Sequence, residues 1–257
     1  MSARRKWQSN AIGRHLGRYL PFMLLLLLWQ SLALHLQSPG LPGPWQVLHG
    51  LLGEWASGDL QFHMTRTLVR VALSFVIAML IGVTLGILMG RYTRLDQWLD
   101  SLLILGLNVP ALVTTILCYI WFGLSETAAI VAVVVNKIPM VAITLREGAR
   151  AVDGRLLEVA QVYRLSGWKR FSTLYFPQLY PYVFSAARNG LALIWKIVLV
   201  VELLGRSDGV GFQIGNFFHY FDITMVLAYS LAFSFVVIIL EAACLRPLER
   251  SLNRWRV

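Results

Sequence analysis

Six long apolar stretches constrain the possible folds of this chain more than any other feature of its sequence. An α-helix needs about 20 apolar residues to cross the hydrocarbon core of a bilayer, which is about 30 Å thick. The stretches cover residues 20–36, 68–89, 102–122, 128–145, 182–204 and 225–245. Only 14% of the residues are charged, against about 25% in a soluble domain. The sequence therefore predicts an all-α membrane protein with six transmembrane helices.

Basic residues are distributed unequally between the two sides that six spans define. Lys and Arg in short loops favour the cytoplasmic side. This bias predicts a cytoplasmic arm (1–19), a six-span domain (20–245) whose first span is an uncleaved anchor, and a cytoplasmic tail (246–257). The basic residues that share the cytoplasmic side are Arg4, Arg5, Lys6, Arg14, Arg18, Arg91, Arg94, Arg146, Arg150, Arg155, Arg164, Lys169, Arg170, Arg246, Arg250, Arg254 and Arg256.

The remaining composition argues against several classes of protein. The net charge of +10 is spread over short clusters between apolar runs, whereas a nucleic-acid partner calls for one basic face. Cys118, Cys244 and the five histidines lack the spacing of a disulfide framework or of metal ligands. The phosphate-binding pattern G-x-x-x-x-G-K-[ST] does not occur. We therefore expect no bound metal, no nucleic-acid partner and no ATP hydrolysis by this chain alone.

The connection between the fourth and fifth spans, residues 146–180, is far longer than the roughly two to eight residues usual between packed helices. Apolar residues recur in it at the spacing of one helix face, and Asp153 is placed to cap that helix. Ser166 and Gly167 are expected to break it before a second short helix over residues 168–175. Two interpretations stay open: a helix on the membrane surface, or one that fits a groove on a partner. The apolar stripe is Leu156, Val159, Ala160 and Tyr163.

This loop resembles the EAA motif of the permease subunits of bacterial ABC importers. That motif reads Glu-Ala-Ala, a Gly after three further residues, nine residues, and then Ile-x-Leu-Pro. The chain departs from it at Val159, Leu174 and Phe176. The more serious departure is Arg164, where the pattern has Gly. If the family needs a tight turn there, we expect residues 165–167 to supply it. The matching segments are Glu158-Val159-Ala160 and Leu174-Tyr175-Phe176-Pro177.

Further residues resemble the subfamily of these permeases that carries aliphatic sulfonates, taurine, nitrate, bicarbonate or pyrimidine precursors. The resemblance runs from the second span to the sixth. It implies a type I ABC importer permease architecture with a cytoplasmic coupling helix. The residues that carry it are Gly123-Leu124-Ser125-Glu126, Pro139, Trp195, Val201-Glu202 and Ser207-Asp208-Gly209-Val210-Gly211.

The resemblance also implies partners and a division of labour. Such a permease is a transport subunit, not an enzyme, of the bacterial inner membrane, where it works as a homodimer in contact with lipid. Two cytoplasmic ATPase subunits bind ATP and Mg²⁺, so this chain binds no cofactor, and a periplasmic or lipid-anchored binding protein delivers the solute. Residues 153–165 would be the coupling helix. The residues expected to take part in coupling are Asp153, Leu156, Leu157, Glu158, Val159, Ala160, Tyr163, Arg164, Gly167 and Pro177.

Polar residues within the predicted spans are candidates for the solute pathway, because an ionisable side chain at membrane depth is costly and usually faces a cavity or a partner. Lys137 and Lys196 are predicted near the middle of the membrane, where two cations would suit an anionic solute. Internal pairing of these lysines is the alternative, and Thr side chains can instead satisfy backbone groups freed by Pro110. The pathway candidates are Asn108, Thr114, Lys137, Trp195, Lys196 and Glu202.

The leading hypothesis is therefore a permease subunit for a small anion of the sulfonate, taurine or nitrate type. The same family also allows an uncharged or cationic solute, such as a pyrimidine precursor. A secondary transporter driven by an ion gradient would show an internal repeat, and none is convincing in this sequence. A membrane scaffold without transport activity would leave the two lysines without a role.

Overall fold

The computed structural model describes residues 20–245, and every regular element in this part of the chain is helical. The basic residues of segments 1–19 and 246–257, which contribute to the predicted orientation, lie outside it. The helices are α1 (Leu20–Leu36), α2 (Pro44–Ser57), α3 (Asp59–Arg91), α4 (Thr93–Asn108), α5 (Ala111–Phe122), α6 (Glu126–Arg150), α7 (Gly154–Val162), α8 (Gly167–Arg170), α9 (Phe176–Gly205), α10 (Val210–His219) and α11 (Ile223–Leu240), with π-helical turns over Phe171–Tyr175 and Glu241–Leu245.

Three of the described helices are long and apolar enough to cross a membrane: α3, α6 and α11 with its continuation to Ala243. The bent pair α4 and α5 would make a fourth span if both cross together. Helix α1 coincides with the first predicted span but is shorter than these spanning helices. Helix α9 contains the fifth predicted span but carries the charged residues Arg188, Lys196 and Glu202. The all-α architecture is confirmed, and the count of six spans stays a prediction.

The third predicted span is not one straight helix. Helices α4 and α5 meet at an angle of 102° across Val109 and Pro110. Pro110 has no N–H to continue the helix, and a residue before proline is driven to extended backbone. Val109 accordingly has φ −72° and ψ 123°. The prediction of one continuous helix over 102–122 was wrong, because it followed the apolar composition of the stretch and not the backbone constraint that Pro110 imposes.

Helices α3 and α6 form the centre of the molecule and pack very closely. A small residue recurs every fourth position on the α3 face that meets α6: Ser74, Ala78, Gly82, Gly86 and Gly90. At Gly86 a Cβ atom would collide with the carbonyl oxygen of Ala142 and the side chain of Leu145. Spacing of this kind lets two helix backbones approach within a membrane. The two helices thus form the framework on which the other elements rest.

Replacing Gly86 by alanine is expected to lower the free energy of unfolding by about 1–3 kcal/mol, since the added methyl forces α3 and α6 apart. Gly53 in α2 is the matched control because nothing lies within 4 Å of its missing Cβ. Gly53→Ala is expected to stabilise the helix by about 0.5–1 kcal/mol. Thermal unfolding of the detergent-purified variants tests both signs. Equal effects of the two substitutions would contradict this packing.

The long loop between α6 and α9 contains helices where its sequence predicts them. The Asp153 side chain caps α7 by accepting a hydrogen bond from the Arg155 N–H at 2.9 Å, as predicted. Helix α7 ends at Val162, slightly before the predicted end at residue 165. Ser166 caps α8, which continues through the π-helical turn into α9, and Pro177 lies in the first turn of α9. Residues 168–175 are helical as predicted, but they run without a break into α9 and do not form a separate helix.

Candidate functional site

A buried group of ion pairs, the Arg70 cluster, joins four elements at the end of the molecule opposite the long loop. It consists of Arg70, Glu126, Glu202 and Asp208. The guanidinium of Arg70, 1% exposed, donates to both carboxylate oxygens of Glu126 at 2.7 and 2.8 Å and to Asp208 Oδ1 at 2.7 Å. Its Nη1 donates to Glu202, which is fully buried. The cluster ties α3 to the first turn of α6, the last turns of α9 and the loop before α10.

Helix α10 supports the cluster with its N-terminus. The Gly211 N–H and the Thr67 hydroxyl both donate to Glu202 Oε2, at 2.8 and 2.9 Å, and the Val210 N–H donates to Thr67 Oγ1 at 2.8 Å. Gly209 has φ +109°, and a Cβ there would collide with the Glu202 carboxylate. The glycine is thus required both by its backbone conformation and by close approach.

The Arg70 cluster holds its elements together, because its charges pair with one another. Burial raises the pKa of the Asp208 carboxyl, but the hydrogen bond from Arg70 and the charges of the nearby arginines together hold that pKa below its ordinary value. Arg206 adds a second cation 3.0 Å from Glu126. Arg70 and Glu202 have almost no exposed surface and pair with each other. The structure places Glu202 here, and not beside Lys196.

Lys137 is in a different situation from Arg70. It projects from the middle of α6 and is 4% exposed. Its Nζ lies 3.9 Å from the Met140 sulfur. Among the described residues no carboxylate lies within 4 Å of that ammonium. A buried charge without a counter-charge is costly, so Lys137 is suited to meet an anion.

Lys196 and Trp195 are adjacent on α9, but the Lys196 side chain is exposed and the Trp195 side chain is buried. The Lys196 side chain is exposed on the surface of the single chain. Trp195 is 6% exposed and packs edge-on against Phe233, with ring centroids 5.9 Å apart. Its Nε1–H has no hydrogen-bond partner among the described residues. The structure therefore does not bring Lys196 and Trp195 to one site.

Asn108 and Thr114 flank the break between α4 and α5. Asn108 Nδ2 donates to the Ile104 carbonyl at 2.8 Å, and Thr114 Oγ1 lies 3.5 Å from the Pro110 carbonyl. Both side chains thus engage backbone of their own segment, as expected where a proline interrupts a helix. Within the described residues, no group of three or more His, Cys, Asp and Glu could hold a metal ion.

Helix α7 presents an apolar face that no other part of residues 20–245 covers. Leu156, Val159 and Tyr163 are 43%, 50% and 76% exposed, while Ala160 packs inward at 1%. Leu157 is half-buried, and Glu158 is exposed beside this face. The start of α7 is held to α9, because the Gln178 side-chain oxygen accepts from the Asp153 N–H at 2.9 Å. An anchored helix with an exposed apolar face suits docking into a protein groove.

Arg164 itself makes the turn that follows α7, with φ +51°. Its N–H bonds to the Gln161 carbonyl at 2.9 Å and the Leu165 N–H bonds to the Ala160 carbonyl at 3.0 Å. These two bonds define a Schellman C-cap, in which glycine normally occupies the left-handed position. The prediction that residues 165–167 supply the turn was wrong. Arg164 thus adopts a strained left-handed conformation at the position where the EAA motif has Gly.

Replacing Arg164 by glycine is expected to stabilise this turn by about 0.5–1 kcal/mol, because glycine adopts positive φ without steric cost. Arg155→Gly, in the first turn of α7, is the control and is expected to cost up to about 1 kcal/mol. Hydrogen exchange of the amides in residues 156–165 measures local opening. Faster exchange in Arg164→Gly than in the unsubstituted protein would contradict the strained turn.

Sequence reasoning missed the Arg70 cluster. Arg70 lies near the start of the predicted span 68–89, and Glu126 and Asp208 enter the sequence analysis only through the family resemblance. The available signal was that one arginine and three carboxylates all fall near span ends on the same predicted side. Four ionisable residues at one membrane boundary indicate pairing.

The comparisons with known proteins agree with this architecture. Residues 82–244, more than half of the chain, match the family described as binding-protein-dependent transport system inner membrane component. The chain is 33% identical over 200 residues to the putative aliphatic sulfonates transport permease protein SsuC of Bacillus subtilis, which covers 78% of this chain and 72% of that protein. It is 30% identical over 266 residues to the taurine transport system permease protein TauC of Escherichia coli, and this match covers 99% of this chain and 94% of that protein.

Solved structures with the same fold include an amino acid ABC transporter, at a TM-score of 0.61 and 20% identity, covering 78% of this chain and 96% of that one. The MetNI methionine ABC transporter aligns with a TM-score of 0.61 and 17% identity, over 81% and 97%. At these identities the likeness shows the fold, which confirms the predicted permease architecture. The chain belongs to the family of binding-protein-dependent transport system inner membrane components and is a permease subunit of an ABC importer.

Proposed function

We propose that this chain forms the membrane path of an ATP-driven importer for a small anion of the sulfonate, taurine or nitrate type. The chain is a transport subunit and not an enzyme. Relatives named for aliphatic sulfonates, taurine and nitrate support an anionic solute. A binding protein on the outer side would deliver the solute, in keeping with the family description.

The burial of Lys137 without a counter-charge is the observation in this chain that best supports an anionic solute. It is a buried cation with no carboxylate within 4 Å among the described residues. An anionic solute passing this point would supply the missing counter-charge and displace little water from the lysine. Arg70, by contrast, has its charge fully balanced within the protein. The pathway assignments of Asn108, Thr114, Trp195, Lys196 and Glu202 have weaker support, because their side chains either engage the protein itself or lie on its surface.

The exposed face of α7 supports coupling to a separate ATPase. In this scheme two copies of the permease assemble in the inner membrane, and each α7 docks on one of two cytoplasmic ATPase subunits, which bind ATP and Mg²⁺. Both termini would then be cytoplasmic, on the side of α7. Nucleotide binding shifts the pair between inward- and outward-facing states, since a ligand favours the state that it binds more tightly.

Neutralising Lys137 tests the proposed solute charge. Lys137→Met is expected to lower uptake of the anion at limiting concentration by about 10- to 100-fold, the loss typical of a hydrogen bond to a charged group. Lys137→Arg keeps the charge and is expected to retain most of the uptake. Lys196→Met, on the exposed face of α9, is the control and should have less effect.

The measurement is uptake of labelled taurine, an alkanesulfonate or nitrate into proteoliposomes that contain the whole transporter. Copurification of the ATPase with each variant shows that assembly has survived. Unchanged uptake by an assembled Lys137→Met transporter would remove Lys137 from the pathway. Transport of an uncharged solute, equal in wild type and Lys137→Met, would favour the pyrimidine-precursor alternative.

A further inference from the structure

A second group of ion pairs, the Asp96 cluster, lies at the cytoplasmic end of the helix core. It consists of Asp96 and Asp100 of α4 and Arg146 and Arg150 of α6. Arg146 Nη1 lies 3.2 Å from Asp96 Oδ1 and also donates to Asp100, and Arg150 Nη2 donates to the other oxygen of Asp96. The side chains of Arg146 and Asp96 are only 12% and 13% exposed. The cluster therefore fixes the start of α4 to the end of α6.

The α6 end of this cluster is directly connected to the docking helix. Three residues, Ala151 to Asp153, separate the last residue of α6 from the first residue of α7. Arg150 is the last residue of α6, and Arg146 lies one turn before it. A displacement of α7 therefore pulls, through a connection of only three residues, on the turn of α6 that carries both arginines.

The α4 end of the cluster is connected to the broken helix. Asp96 and Asp100 occupy the first two turns of α4, which is a single helix as far as Asn108 and then turns by 102° into α5. Along its length α4 stays in contact with the same framework: Leu103 packs with Met89 and Ala142, and a Cβ at Gly106 would contact Pro139. A rigid α4 thus carries movement at Asp96 to the break at Pro110.

We propose that the Asp96 cluster transmits movement of α7 to the broken helix α4–α5, so that its residues couple ATP hydrolysis to opening of the solute path. This inference rests on the proposed ATP-driven transport. The four charges balance one another, and the exchange of ion pairs within the cluster allows small sliding of α4 against α6 without separation. Asp96, Asp100, Arg146 and Arg150 are positioning residues that act through α4, since none of them needs to contact the solute.

Uncoupling of transport from hydrolysis is the effect that a merely structural role does not produce. The transporter with its ATPase and binding protein is reconstituted in proteoliposomes, and uptake and ATP hydrolysis are measured together. Arg146→Gln and Asp100→Asn are expected to keep hydrolysis stimulated by the loaded binding protein, within about twofold. Solute moved per ATP is expected to fall at least about tenfold, the lower end of the loss expected for one hydrogen bond to a charged group.

Two further variants make the test specific. Glu147→Gln removes ion pairs to Arg146 at 3.2 Å and to Arg150 at 3.5 Å, both within α6. Because it leaves the pairs between α4 and α6 in place, it should leave the ratio of solute to ATP unchanged. Arg146→Lys keeps a cation between Asp96 and Asp100, and it is expected to retain at least half of the wild-type ratio.

The inference would be overturned if Arg146→Gln and Asp100→Asn lowered uptake and hydrolysis in equal proportion, because that indicates loss of assembly. An Arg146→Lys variant or a Glu147→Gln variant as uncoupled as Arg146→Gln would also overturn it. Failure of the proposed function is distinguishable: the wild-type transporter itself would then show no ATP-dependent uptake.

Discussion

Substitution of Arg70 by methionine is expected to lower the free energy of unfolding by about 3–5 kcal/mol. The methionine fills the buried volume but leaves the carboxylates of Glu126, Glu202 and Asp208 without their shared cation. Removal of one partner from a buried ion pair typically has this cost, since the remaining charge stays desolvated. In thermal unfolding of the detergent-purified protein, the apparent Tm should fall by on the order of 10 °C.

Arg66 provides the matched control, one helical turn before Arg70. Its side chain is 57% exposed and lies 3.6 Å from Asp208, so Arg66→Met should change stability by less than about 1 kcal/mol. The Arg70→Met transporter should also lose transport in proportion to folded protein. An Arg70→Met protein as stable as Arg66→Met would contradict the view that the cluster holds α3, α6, α9 and α10 together.

The Arg70 cluster also shows where sequence reasoning stopped. Its partners lie 56, 132 and 138 residues from Arg70 along the chain. Hydropathy and charge bias locate helices and their probable sides, but they do not determine which helices touch. The small residues at every fourth position of α3 did carry a contact signal, and it pointed to a helix neighbour without naming α6. Pairing between distant charges therefore needed the three-dimensional arrangement.

Substitution of Val159 by aspartate is expected to reduce association with the ATPase subunit at least about tenfold. Val159 lies at the centre of the exposed apolar face of α7, half of its surface open. A carboxylate buried there without a partner would lose its hydration, and each tenfold loss of affinity corresponds to about 1.4 kcal/mol. The measurement is the amount of ATPase that copurifies with the tagged permease.

Gln161→Asp introduces the same charge two residues later, on the opposite side of α7. Because that position is exposed and outside the apolar face, association should stay within about twofold of wild type. Both variants should fold alike, as judged by equal thermal stability of the permease alone. Full ATPase binding by Val159→Asp would show that this face is not the docking surface and would favour the membrane-surface interpretation of α7.

Local signals in the sequence predicted the loop well. The Asp153 cap, the apolar stripe of α7 and the helix that follows Ser166 all depend on residues within a few positions of one another. The turn at Arg164 was mispredicted because arginine rarely adopts positive φ, and only the hydrogen bonds to Ala160 and Gln161 reveal the C-cap. The bend at Pro110 was likewise underestimated, because a continuous apolar composition concealed a local backbone constraint.

The most direct test of this account is the energy source of uptake by the complete transporter. Proteoliposomes containing permease, ATPase and binding protein are loaded with ATP or with a nonhydrolysable analogue, and entry of labelled taurine, alkanesulfonate or nitrate is followed. We predict uptake that requires hydrolysable ATP, persists when ionophores dissipate proton and sodium gradients, and is lost in Val159→Asp. Uptake that continues without ATP and collapses with an ionophore would contradict the account and identify an ion-coupled transporter.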